Sequence, residues 1–292
     1  MIWGVTLFLA LANPEQRAVE YLSAEVPRWS RENHCFSCHN NGDGARALFA
    51  AARRGYPVPP EALADTRGWL TRPGEWDRNP GNPGFSSPKL AQIQFATALA
   101  EDRSADARTI LSAAESLLKF QEPDGAWGVD TRGMPGAPAT YGIALGTYLA
   151  RRTLEIADPR KFASAIARAN RWFETTEPGN LPDAAAMLLA LPKSQAVRAK
   201  CLPMILKSQN PDGGWGPQLH MPSETFDTAL ALLTSPPENA RVKGRQFLLA
   251  QQLPSGGWME TTRPSGGQSY AEHISTTAWA LFALLATDAK RQ

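Results

Sequence analysis

Apolar residues recur at three- and four-residue intervals in short blocks along most of the chain, and proline, glycine or small polar residues stop each block. That period marks one face of an α-helix, and the stops are turn chemistry. In 104–121 the stripe is Ile110, Leu111, Ala114, Leu117 and Leu118; in 139–152 it is Tyr141, Ala144, Leu145, Tyr148 and Leu149. The block at 275–287, containing TTAWALFALLA, is apolar almost all round, as a helix buried on every side would be. Earlier blocks predict helices over 14–23, opened by Asn13 and Pro14, and over 43–54, 59–70 and 88–100.

The blocks belong to a repeat. KFQEPDGAWG (119–128), KSQNPDGGWG (207–216) and AQQLPSGGWM (250–259) align without gaps, with glutamine, three residues, glycine, one residue and tryptophan in each. Gln121, Gln209 and Gln252 are separated by 88 and 43 residues, so a degenerate copy is expected between the first two. Residues 158–191 keep that outline, opened by Asp158 and Pro159, with Phe162, Ile166 and Ala169 on one face. Counting back adds two hairpins, and the chain reads as six hairpins of twelve helices. Six units with an inner and an outer helix each can close into a ring, which needs no capping repeats. The expected fold is all-α, an α/α toroid (α6–α6 barrel), as a single domain over 13–292. The three tryptophans read as structural staples, each lying against its glutamine and tying its turn to the next hairpin.

Composition narrows the function classes. The 292 residues are 43 % hydrophobic, enough for a full core, and the formal net charge is only +2. No nucleic-acid partner is expected from that balance. Met1–Ala12 is apolar but too short to span a bilayer. It reads as the remnant of a signal segment ending at Ala10-Leu11-Ala12, lacking the positive start, or as the buried beginning of the domain. No other stretch suggests a transmembrane helix.

The Gln–Gly–Trp turns resemble the QW motif of squalene/oxidosqualene cyclases and related prenyltransferase-repeat proteins. The likeness is densest in KGRQFLLAQQLPSGGW (243–258) and runs from about residue 100 onward. The resemblance implies a toroid with a central cavity and an apolar, terpenoid-type ligand. The Asp-x-Asp-Asp acid of that family is absent. Asp183 and Asp227 open inner helices singly, where a lone carboxylate reads as a cap. A counterpart of the prenyltransferase zinc site is not visible either.

The sharpest chemical signal is ENHCFSCHNNGDG, which holds Cys35, Cys38 and His39 in the spacing C-x-x-C-H. Two thiols three residues apart with an adjacent imidazole form the c-type haem attachment pattern. The expected cofactor is haem c, with His39 on the iron. Zinc held by His34, Cys35, Cys38 and His39 is the alternative, and a Cys35–Cys38 disulfide a third. All four histidines fall in stretches read as loops at one mouth of the ring, so His220, Met221 and His273 are candidate distal ligands, with Met134 and Met259 behind them. Trp76, Phe85 and Tyr270 are candidate lining, and Arg72, Arg78, Arg132 and Arg263 candidate partners for haem propionates. The resulting expectation is an exported, periplasmic or secreted haem protein serving electron transfer with a redox partner protein. The alternative is an enzyme or binding protein for a small apolar ligand in the central cavity, or a zinc-binding scaffold.

Overall fold

The computed structural model describes residues 13–79, 87–131 and 133–288. The expected signal segment 1–12, Phe85 and Arg132 lie outside them. The described residues form twelve α-helices: α1 Pro14–Asn33, α2 Ala45–Arg53, α3 Ala64–Leu70, α4 Pro88–Glu101, α5 Ala107–Leu118, α6 Gly142–Ala157, α7 Ala163–Thr175, α8 Leu181–Ala190, α9 Gln195–Lys207, α10 Thr225–Leu233, α11 Glu238–Gln251 and α12 Tyr270–Thr287.

Local chemistry sets the boundaries. Asn13 caps α1 by accepting the Gln16 amide at 2.8 Å, with Pro14 in the first turn. The helix runs ten residues past the expected 23 because the stripe Ala18, Val19, Leu22, Val26 continues to bury at helical spacing. The segment ahead of α2, expected as loop, is instead a π-helical turn over Cys38–Gly44 that runs straight into α2. Its two glycines are there for contact, since a Cβ at Gly42 would lie 2.9 Å from Gln94 Cβ and one at Gly44 2.9 Å from Val26 Cγ2.

Consecutive helices pair as hairpins, and the even-numbered helices pack on one another around an inner ring. The α10–α12, α8–α10, α6–α8 and α4–α6 contacts follow in order, and α12 then meets the π turn, α2 and α1. The ring is closed. Inner helices carry small residues where they crowd: Ala184, Ala185 and Ala186 on α8, and Ala278, Ala280 and Ala283 on α12, are fully buried.

The Gln–Gly–Trp turn is the joint. Trp127, Trp215 and Trp258 are fully buried. Their indole N–H groups donate back to Leu117, Ile205 and Leu248, the helix carbonyls ten residues earlier, at 2.7, 2.8 and 2.7 Å. Through its N–H the tryptophan anchors each turn to its own hairpin; the Trp215 ring also packs on Gly244 of the next one, as expected, and the glutamine adds hydrogen bonds to that neighbour. Gln121 Nε2 donates to Gly125 of its turn at 3.1 Å and to Ala165 of α7 at 2.9 Å. Gln209 does the same with Gly213 (2.8 Å) and Ala240 (2.9 Å) of α11. Gln252 donates to Gly256 at 2.8 Å and to Pro14 of α1 at 2.9 Å, which joins the last hairpin to the first. The turn glycines have φ of 104, 91 and 94° and press on the neighbouring outer helix; a Cβ at Gly256 would sit 2.3 Å from the Arg17 carbonyl oxygen. Arg17 also donates to Gln252 Oε1, and Arg245 of α11 pairs with the buried Glu15 of α1.

Gln252→Ala removes both bridges and the acceptor for Arg17, leaving half-buried groups unpaired. It is expected to lower unfolding stability in urea by about 2–3 kcal/mol, against about 0.5 kcal/mol or less for the exposed Gln195→Ala. A loss for Gln252→Ala no larger than the control would show that closure does not depend on this amide.

Candidate functional site

The Cys-x-x-Cys-His segment enters the inner ring as its wall. Ser37 caps the π turn, its Oγ accepting from the His39 and Asn40 amides at 3.1 and 3.4 Å, and Asn41 Oδ1 accepts the Ser37 amide at 3.0 Å. Asn40 and Asn41 are fully buried and pin the turn outward: Asn40 Nδ2 to the Glu25 carbonyl (2.9 Å) and Tyr270 hydroxyl (3.0 Å), Asn41 Nδ2 to Thr66 Oγ1 (2.8 Å). Cys35 is buried with its Sγ accepting from Trp29 Nε1 at 3.3 Å. Cys35 and Cys38 both stand as free thiols in this fold. Burial, with Asp43 nearby, pushes the Cys38 thiol up to about 12. His39 is 9 % exposed, and its Nδ1 lies 2.8 Å from Ser275 Oγ of α12. Burial lowers its pKa and Asp43 partly opposes this, so the imidazole is neutral at pH 7.

The expected ligand partners are dispersed. His34 follows the end of α1 in the left-handed region and is exposed, and His273 lies in the first turn of α12; of the four histidines, His34 and His220 sit in loops. His273 and Ser275 are two residues apart and so about 200° apart around the helix. Ser275 faces His39, while His273 holds Glu260 Oε2 at 3.0 Å and packs on Tyr21 at 5.7 Å. His220 and Met221 line a separate outer cleft with Asn210 and Phe247. Met134 and Met259 are 42 and 57 % exposed. Trp76 is buried with its N–H on the Trp69 carbonyl, Tyr270 stacks on Trp29 at 5.4 Å, and Arg72 pairs with Glu75. Arg263 turns inward to Gly136, Glu224 and Asp227.

A c-type haem needs both thiols and the imidazole along one open slot. His39 supplies a neutral, anchored ring. Cys35 and His39, however, are packed into the wall with Trp29 and Ser275 on their polar atoms, and none of the three described cavities borders Cys35, Cys38 or His39. As folded, these residues do not fit a covalently held macrocycle. For zinc, among the described residues no three histidine, cysteine, aspartate or glutamate side chains converge as a metal would need.

What the ring brings together is a polar column at its axis. Asp43, fully buried, accepts from the Tyr141 hydroxyl and, at 3.0 Å, from Gln94 Nε2, which also lies 3.2 Å from the Tyr141 oxygen. Tyr141 reaches this position from a backbone at φ 59°, a left-handed conformation unusual for a bulky residue. Burial and the adjacent Asp43 raise its pKa, so it is a hydrogen-bond donor at neutral pH. One helical turn on, Arg46 lies 3.7 Å from Asp43, with its guanidinium 4.6 Å from the Trp279 ring centre and 4.4 Å from that of Phe282.

Beneath this column the axis opens into a cavity of about 430 Å³ at the C-terminal ends of the inner helices. All six even-numbered helices contribute to its wall; its apolar face includes Tyr148, Leu149, Leu189, Leu233, Trp279 and Phe282. A second buried cluster lies nearer the other mouth. Asp227 opens α10 but is no cap: fully buried, it binds Arg263, which also takes Glu224 at 3.2 Å. Asp183, by contrast, accepts the Gly179 amide at 3.2 Å as a helix-start residue would.

The global shape agrees with two groups of solved structures. The type II terpene cyclase MstE from Scytonema is 16 % identical, with 94 % of this chain and 98 % of that one superposed at a TM-score of 0.55. A variant of it in complex with geranylgeranyl dihydroxybenzoate superposes at 0.58, again at 16 % identity, over 94 and 97 %. A wild-type glycosidase is 13 % identical and superposes at 0.60 over 94 and 97 %. These likenesses establish a shared α/α-toroid fold. No family model matches the chain, and no curated protein matches it. Among the described residues no helix is long and apolar enough to cross a membrane.

Asp43, Arg46 and Gln94 were missed by motif reading. The available signal was polarity out of place: Gln92 and Gln94 interrupt the apolar run PKLAQIQFATALA, and Asp43 and Arg46 stand at the start of an alanine-rich helix.

Two outcomes follow. Expression with the c-type maturation machinery is expected to give a chain that does not stain for haem on a denaturing gel; covalent haem with a pyridine haemochrome spectrum would overturn the packed-wall assignment. Burial also raises the Asp227 carboxyl, with Arg263 opposing. A raised carboxyl is a folding penalty that is absent at low pH and grows as pH rises above about 4, the unfolded value. Asp227→Asn should therefore flatten the fall of unfolding stability between pH 4 and neutrality; an unchanged slope would place that fall on other groups.

Proposed function

We propose that this chain binds a small apolar ligand at the axis of its toroid. The observation that carries the reading is the axial cavity itself, to which every inner helix contributes a side chain. Its volume falls within the roughly 300–1,000 Å³ of small-molecule sites. Aromatic and leucine side chains in one wall give shape and desolvation, and the guanidinium of Arg46 supplies a polar end. Tyr141 and Gln94 hold Asp43, the carboxylate nearest that guanidinium, and the three close the axis behind it. The fold shared with a terpene cyclase solved in complex with geranylgeranyl dihydroxybenzoate lends support to an apolar cargo. The absence of an Asp-x-Asp-Asp acid from the sequence keeps the proposal at binding and adds no cyclisation step.

N-Phenyl-1-naphthylamine, a neutral apolar fluorophore, is expected to bind saturably at one site, with intrinsic tryptophan fluorescence changing in parallel. Leu189→Trp, which fills the cavity from α8, should weaken that binding at least tenfold while the circular dichroism spectrum stays helical. Unchanged binding by a folded Leu189→Trp variant would remove the cavity as the site.

A further inference from the structure

The cavity is ringed by cations. Arg46, Arg53, Arg54, Arg103 and Arg152 border it, against a single carboxylate, Glu101. Five positive charges less one negative leave four at this mouth, in a chain whose whole formal charge is +2. The helix dipoles explain part of this. Six helix C-termini face the mouth, each carrying about half a negative charge, and Arg53 donates to the terminal carbonyl of Glu101 and to its side chain.

Dipoles do not explain Arg46. It lies in the first turn of α2, well inside the ring, and is 3 % exposed. Its Nη1 has no hydrogen-bond partner, and Asp43 at 3.7 Å is beyond hydrogen-bond reach, its oxygens already taking Tyr141 and Gln94. That nitrogen is turned to Asp43 and closed off from the cavity, so the positive charge that Arg46 brings to the cavity wall is only loosely balanced. At the rim, Arg103 makes no ion pair or hydrogen bond among the described residues and is exposed. Arg152 has only a 3.5 Å contact to Glu101, which Arg53 already holds. Arg152 follows Tyr148 and Leu149 by one turn on α6, so these guanidiniums and the apolar wall border the same cavity.

We infer that the ligand of this cavity is an amphiphilic oxyanion, with its apolar part against the Trp279–Phe282–leucine wall and its phosphate or carboxylate head on the arginines. The inference rests on the axial-cavity reading above and adds the head group. Planar guanidiniums suit such oxygens because each offers two parallel N–H donors.

The test compares octyl phosphate, 1-octanol and inorganic phosphate by isothermal titration, with displacement of N-phenyl-1-naphthylamine as a second readout. Octyl phosphate is expected to bind at least tenfold tighter than 1-octanol, and that advantage to shrink as salt rises. Inorganic phosphate alone should bind far more weakly than octyl phosphate. Arg103→Gln together with Arg152→Gln, both near the surface, should remove most of the phosphate advantage and leave 1-octanol affinity within about twofold. Equal affinity for octyl phosphate and 1-octanol would overturn the head-group assignment and leave the apolar cavity standing. Inorganic phosphate binding as tightly as octyl phosphate would overturn the amphiphile in favour of a simple anion site. Failure of both octyl compounds and of the naphthylamine would overturn the cavity reading itself.

Discussion

One side-chain amide, used three times, holds this molecule in a ring. A glutamine at the end of an outer helix has two N–H donors, and the turn after it exposes one carbonyl while the next hairpin exposes another. Gln121, Gln209 and Gln252 satisfy both at once, at distances between 2.8 and 3.1 Å. A backbone bond would serve one partner. The bidentate amide converts a local turn into a joint between units, and at Gln252 the next unit is the start of the chain. The buried indole is the counterpart: its single donor goes back into its own helix, so the turn is rigid before it docks.

Closure has a cost that the inner ring displays. A helix with neighbours on both sides and an axis beneath it has no polar face to spare, so any polar residue there must find a partner inside. Thr97 and Thr153 face one another at 3.2 Å; Thr147, Thr228 and Thr277 each take the amide of a motif tryptophan, at 2.8, 2.9 and 3.1 Å. Asp43, Tyr141 and Gln94 form the largest such group and seal the axis. Below them the helices' own C-terminal ends diverge into leucines and aromatics, and the space is left open. Plug and cavity are thus two halves of one packing problem.

Much of the ring was legible in the sequence because it is built from short-range rules. The 43-residue spacing of Gln209 and Gln252, the stripe in α5 and the all-apolar α12 gave the hairpin count and the inner-outer order. Reading failed where a long-range contact decides. The helical structure begins at Cys38, ahead of the expected start at 43, where Gly42 and Gly44 press on Gln94 and Val26, residues that no local pattern pairs with them. The distal-ligand expectation placed His273 at an open mouth; the phase of α12 turns it to Glu260 and gives the inward position to Ser275. Asp227 reads as a cap from its position and is an ion-pair partner only because Arg263 arrives from 36 residues on.

The Cys-x-x-Cys-His spacing acquires a different meaning from this geometry. His39, Asp43 and Arg46 stand at i, i+4 and i+7, the spacing that puts side chains on one helix face. That face looks into the ring. Its first member meets Ser275, its second Tyr141 and Gln94, its third Trp279 and Phe282, so the partners descend from the mouth toward the cavity. The histidine is the uppermost step of an inward polar column whose lowest step borders the axial cavity. The thiols flank the entry of that column: Cys35 under Trp29, Cys38 at the first position of the π turn. Seen this way, the motif's chemistry is turned toward the axis, and Arg46 is the residue of that face that borders the cavity.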